Sequence, residues 1–192
     1  MDILHGLNRA IHAAAQVSKA SQGYSLAKGR SNLFVYQLAN HFRAHYAKQP
    51  GVAVFSKAAS WHQAMFGVNE FLFDISVLEY GTIQAVRHAA TIPYVTRATW
   101  LVESEFGRNS RDILHDLSKL KIGEAESKLF VACEFKDVQR QLSMLEQAAA
   151  GISGTLFLAL LPPPLDWQSQ TRAVSSYRLS GTGWVQDNLA VC

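Results

Sequence analysis

Apolar residues recur along this chain at two spacings, and the alternation between them lays out most of its elements. In residues 2 to about 20, Ile3, Leu4, Leu7, Ile11 and Ala14 fall at helical spacing. A loop around Ser21-Gln-Gly-Tyr24 and Lys28-Gly-Arg30 follows. A second amphipathic helix is expected from about 31 to 48, with Leu33, Phe34, Tyr36, Leu38, Phe42 and Tyr46 mostly on one side and Gln49-Pro-Gly51 as its stop. Residues 52–56 suit a short strand. Residues 69–78, rich in aromatic and β-branched side chains, read as a longer one, with Phe71, Phe73, Ile75 and Val77 on one face. A strand or hairpin arm is expected near 82–88, and then a strand through Trp100-Leu-Val.

Downstream the pattern turns helical again. Asn109 and Ser110 are suitable caps, Asp112 stands in the first turn where negative charge is favoured, and Gly123 ends the helix. Its apolar face is Ile113, Leu114, Leu117 and Leu120. A buried strand at 128–133, a helix at about 138–150 and a second buried strand at 155–161 follow. Pro162, Pro163 and Pro164 interrupt regular structure, and residues 174–187 alternate like a hairpin turning at Ser180-Gly-Thr-Gly183. The order predicts an α/β three-layer domain. The whole of 1–192 reads as a single domain, with its core at about 31–161 and the residue 2–20 helix and the 174–187 hairpin as additions.

Composition narrows the class. With 192 residues, 48% hydrophobic and 17% charged, the chain suits a globular fold and excludes a disordered one. A net charge of +3 neither demands nor excludes nucleic acid, so a phosphate-binding surface has to be local. Cys133 lies in an apolar run and Cys192 is the final residue, which argues against a disulfide framework and for a reducing, cytoplasmic setting. No signal peptide is apparent at the N-terminus. The oiliest run, Thr155–Leu161, is far shorter than the ~20 residues of a membrane span.

The chemistry gathers where the strand through Trp100 ends in Glu103 and Glu105. Residues i and i+2 of a strand share a face, and two acids at the end of an oily strand need a cationic partner. A divalent metal is one answer; Arg97, Arg108 or Arg111 is another. Asp74, on the less oily side of its strand, is the candidate third acid. Such a trio suits hydrolysis of a phosphodiester. His41 and His45 are spaced i, i+4 but lack a third ligand, so a solvated helix face is expected of them. His115 is expected on the exposed side of its helix, and Cys133 as a small core residue. Arg108, Arg111, Lys119, Lys121 and Lys128 form a basic cluster that either tracks a phosphate backbone or solubilises a helix.

With those residues placed, the chain resembles the PD-(D/E)XK nuclease superfamily, the restriction-endonuclease-like fold, over about residues 31–134. Asp74 matches the first acid of the motif and Glu103 the second, while Glu105 stands where the family has lysine, as in its Glu-x-Glu variants. The resemblance implies a helix, a three-stranded meander, a second helix and a further strand. It implies Mg²⁺- or Mn²⁺-dependent endonuclease activity, on DNA rather than RNA, with Asp74 and Glu103 as metal ligands. Glu105 would be a further ligand or the group that orients water, and Lys119 would replace the missing lysine. The first core helix lacks the family's acid and offers Asn40, His41 and Arg43 instead. The alternative is a catalytically silent nuclease-like fold acting as a binding module, for nucleic acid or for a protein at the aromatic residues Trp167, Tyr177 and Trp184. A homodimer stays open.

Overall fold

The computed structural model describes residues 1–18, 25–86, 90–169 and 174–187. Its helices and strands follow in the order α1 (Ile3–Ala15), α2 (Leu26–Tyr46), β1 (Val52–Ser56), α3 (Gln63–Phe66), β2 (Ile75–Gln84) and β3 (Thr91–Glu105). These are followed by α4 (Ser110–Ile122), β4 (Ser127–Cys133), α5 (Val138–Ala149), β5 (Thr155–Leu161), a short 3-10 helix (Pro164–Ser169), β6 (Ser175–Ser180) and β7 (Gly183–Gln186). All seven strands form one mixed sheet in the order β1-β2-β3-β4-β5-β6-β7. β1, β2 and β3 make an antiparallel meander, β4 lies parallel to β3 and β5 parallel to β4, and the β6–β7 hairpin extends the far edge.

Strand alternation divides the core into two layers. Trp100, Val102, Leu129, Val131, Phe157 and Ala159 point to one face, where α1 and α2 cover them with Leu7, Ile11, Phe34, Leu38 and Phe42. Leu101, Phe130, Ala132, Leu156 and Leu158 point to the other, under Ile113, Leu117 and Leu120 of α4 and Leu142 and Leu145 of α5. The result is the expected three-layer α/β architecture. No helix among the described residues is long and apolar enough to cross a membrane.

Several expectations need correction. The helix α2 starts at Leu26, capped by the Ser25 side chain on the Lys28 amide (3.3 Å), so Lys28, Gly29 and Arg30 are helical rather than loop. Arg30 is fully buried and donates to the carbonyls of Val17 (3.0 Å), Pro164 (2.7 Å) and Leu165 (3.0 Å), tying α2 to the end of α1 and to the 3-10 helix. The expected loop at Ser21–Tyr24 lies outside the described residues, as do Cys192 and part of the arm at 82–88. The described parts of that arm belong to a long β2–β3 hairpin.

The strand expected at 69–78 begins at Ile75. Leu72 takes φ 63° and the Phe73 amide bonds back to the Phe71 carbonyl at 2.6 Å, which breaks the alternation. Phe71 then packs by Phe55, Phe73 joins the α4–α5 layer, and Ile75 and Val77 join the α1–α2 layer. Of the aromatic residues expected to meet a protein partner, Trp167 is buried, while Tyr177 and Trp184 are half-buried against the sheet. Trp167 donates to the Pro162 carbonyl, Trp184 donates to the Leu142 carbonyl, and Tyr177 lies against the α4–α5 layer.

Candidate functional site

Leu101, Glu103 and Glu105 alternate onto the α4 side of β3, opposite Trp100 and Val102. Glu103 is 1% exposed, beside Phe130 of the neighbouring strand. A carboxylate in such a place requires a partner, and α4 supplies one. The helix turns Ile113, Leu117 and Leu120 into the core, which leaves Asp116 and Lys119 at its border facing β3. Lys119 Nζ lies 2.7 Å from Glu103 Oε2 and 3.0 Å from Asp116 Oδ1. Glu103 Oε1 is buried and has no hydrogen-bond partner.

Asp74, 5% exposed, sits just beyond the last β2–β3 pair, Ile75 with Val102. There its Oδ2 accepts the Ser104 amide (3.0 Å) and the Ser104 hydroxyl, while Oδ1 pairs with Lys57. Glu105 turns aside: its Oε1 accepts the Gly107 amide and its carboxyl meets Asp116.

The electrostatics follow from burial and crowding. Glu103 is pushed up to about 8, first by burial and then by the Asp74 charge, against the pull of Lys119. Burial also raises Glu105; the Gly107 amide opposes this, and Asp116 and Asp112 add to it. Burial works against the Lys119 ammonium, but its bonds to Glu103 and Asp116 outweigh that and hold it above the usual lysine range. Asp74 thus pairs with Lys57, Glu103 and Asp116 share Lys119, and Glu105 is left to the Gly107 amide.

The fit to a divalent cation can be judged on the donors themselves. No group of three or more His, Cys, Asp or Glu side chains able to hold a metal ion occurs among the described residues. Magnesium, however, commonly takes one or two carboxylates and completes its shell with water and substrate phosphate. Glu103 Oε1 has no partner and Glu103 feels the Asp74 charge, so these two carboxylates are the ones that would hold such an ion. It would offset the burial and the Asp74 charge that raise Glu103. The pair fits. Glu105, held by Gly107, does not converge with it as a third ligand.

The structure thus brings Asp74, Glu103 and Lys119 together, with Glu105 at the flank. Arg97 is not the partner of these acids; it bridges Glu79 and Glu126. The basic cluster dissolves: Lys128 is fully buried against the Ser153 hydroxyl (3.0 Å), and Lys121 binds the Ala148 carbonyl (3.3 Å). Asn40, His41 and Arg43 belong to α2 on the opposite face of the sheet, where they border a separate groove with His5, Arg9 and His62. There His41 is half-buried against Gly6 rather than solvated, whereas His45 is exposed as expected and lies edge-on to Tyr46. His115 is exposed and Cys133 is buried, both as expected.

Lys57, Ser104 and Asp116 were not anticipated. Asp116 and Lys119 stand at i, i+3, the spacing of helix neighbours, and that signal was available; nothing local marks Lys57 or Ser104. Compared with known proteins, the chain matches no family model and no curated protein.

Proposed function

We propose that the protein is a metal-dependent nuclease that hydrolyses phosphodiester bonds of nucleic acid, with DNA the expected substrate. The observation that carries this reading is the buried, unpartnered Glu103 Oε1, in a carboxyl that feels the Asp74 charge and has Lys119 on its other oxygen. The order of elements lends support: α2, the β1–β3 meander, α4 and the parallel strand β4 follow the sequence of the PD-(D/E)XK core.

Asp74 and Glu103 would hold a Mg²⁺ or Mn²⁺ ion. Such an ion polarises a phosphoryl oxygen and eases deprotonation of the attacking water. Lys119, held charged by Glu103 and Asp116, would stabilise the negative charge that builds on the phosphate. Glu105, its affinity for protons raised by burial and by Asp116, is the group suited to take the proton of the attacking water. Ser104 and Lys57 fix the orientation of Asp74.

The test is cleavage of labelled DNA and RNA oligonucleotides with Mg²⁺ or Mn²⁺. Asp74→Asn and Glu103→Gln are expected to lose at least about 100-fold in rate while keeping the native circular dichroism spectrum. Undiminished cutting by either variant would sink the assignment.

A second reading, a silent fold that binds without cutting, is favoured by one observation. Lys57 and Lys119 already pair with Asp74 and Glu103, so both acids have a cation without any metal. Absence of cleavage by the wild type on every substrate and with both metals selects it.

A further inference from the structure

Beyond the acidic site, a cleft of about 630 Å³ opens between the loop that follows β3 and the loop that follows β4. Its volume is that of a small-ligand site. It lies outside the carboxyl ends of two adjacent parallel strands, where open α/β sheets take their ligands. Arg108, Lys136 and Arg140, all exposed, stand around it, and the half-buried Phe135 and Met144 form an apolar wall.

The floor is built rather than incidental. Gln141 is 1% exposed, and its amide accepts from the Phe135 N–H (2.9 Å) and donates to the Cys133 carbonyl (2.8 Å), which fixes the Phe135 loop to the end of β4. Asp137, the acid of the lining, is committed to capping α5 through the Arg140 amide (3.0 Å). Arg108 follows Glu105 by three residues, across the turn closed by the Glu105–Gly107 bond. Three cations beside an aromatic face match a phosphate carrying a flat ring.

We propose that this cleft binds one nucleotide unit of a single nucleic-acid strand, next to the phosphodiester at Asp74 and Glu103. The phosphate lies against Arg108, Lys136 and Arg140, and the base against Phe135 and Met144. The inference rests on the nuclease reading for its substrate class, yet it is tested without cleavage.

The experiment is fluorescence anisotropy of labelled (dT)8 and (rU)8 in EDTA across a salt series. The wild type is expected to bind at least one of them. Lys136→Ala and Arg140→Ala should each weaken binding and lower the log–log salt slope by about 0.7, the share of one phosphate contact on a single strand. Phe135→Leu, which keeps an apolar side chain but removes the ring, should weaken it roughly tenfold. Lys48→Ala, a remote exposed lysine, serves as the control and should change neither. Failure of both octamers to bind, or cleft variants no different from Lys48→Ala, overturns the proposal. The same octamers with Mn²⁺ separate the two readings. Cleft-dependent binding without Asp74-dependent cutting leaves the cleft standing and removes the nuclease. Asp74-dependent cutting with cleft variants binding normally does the reverse.

Discussion

Glu103 is the residue on which the chemistry turns, and its titration is measurable in the metal-free protein. A carboxyl raised from 4.5 to about 8 binds its proton more tightly in the folded than in the unfolded state. Its contribution is therefore fully present below pH 4.5 and lost as pH rises through about 8. The difference corresponds to on the order of 5 kcal/mol. Urea midpoints of wild type minus Glu103→Gln, measured in EDTA between pH 5 and 8.5, should fall steadily with pH. A flat difference would mean that Glu103 is ionised throughout and well compensated by Lys119. The Lys119 ammonium itself titrates above this window, its pKa being raised, and leaves the slope alone. The acids of the site were legible in the sequence because period-two spacing puts Glu103 and Glu105 on one face whatever the fold. Lys57 and Ser104 were not, because their part in the site depends on where β1 and β3 lie against the Asp74 turn, a long-range fact that no local pattern carries.

At the scale of elements, two helical glycines make opposite predictions. Gly6 lies inside α1, where alanine ordinarily gains about 1 kcal/mol. A Cβ there would meet the His41 ring at 2.5–2.9 Å, in the seam where α1 packs on α2. Gly6→Ala is thus expected to destabilise the protein by about 1–3 kcal/mol through overpacking. At Gly29 in α2 a Cβ would meet the Val17 side chain at 3.8 Å, an ordinary contact distance. Gly29→Ala should gain roughly 0.5–1 kcal/mol. Chemical denaturation of the two variants settles both; a shared sign would mean that helix propensity or local packing alone governs both positions. The same stretch shows why the start of α2 was misread. Lys28-Gly-Arg30 has the composition of a loop, but Ser25 caps the helix and Arg30 is drawn inward by carbonyls of Val17, just past α1, and of the 3-10 helix, the latter two more than a hundred residues away. The run at 69–74 failed differently. Its alternation was real in sequence, yet the positive φ at Leu72 turns Phe71 and Phe73 to separate clusters, and a single backbone angle of that kind leaves no periodic trace.

At the scale of the molecule, the order of elements was legible because the parallel strands β4 and β5 are continuous apolar runs and the helices that precede them, α4 and α5, are strongly periodic. That order sets the site at the end of β3, with α4 packed across it, so the ion expected there binds the folded chain and not the unfolded one. Such linkage makes metal affinity visible as stability without any substrate. At a free Mn²⁺ concentration 100 times the dissociation constant the gain is about 2.7 kcal/mol. For a chain of this size it appears as a rise in melting temperature of roughly 5–10 °C. The rise should vanish in Asp74→Asn and in Glu103→Gln, and should shrink as pH is lowered from 8.5, because protons compete with the ion for Glu103. Cleft variants such as Arg140→Ala should keep it in full, since they remove a strand contact and leave the acids untouched. A rise that survives Asp74→Asn would place the ion elsewhere on the molecule. No rise at any pH would leave Lys57 and Lys119 as the cations these acids were folded around.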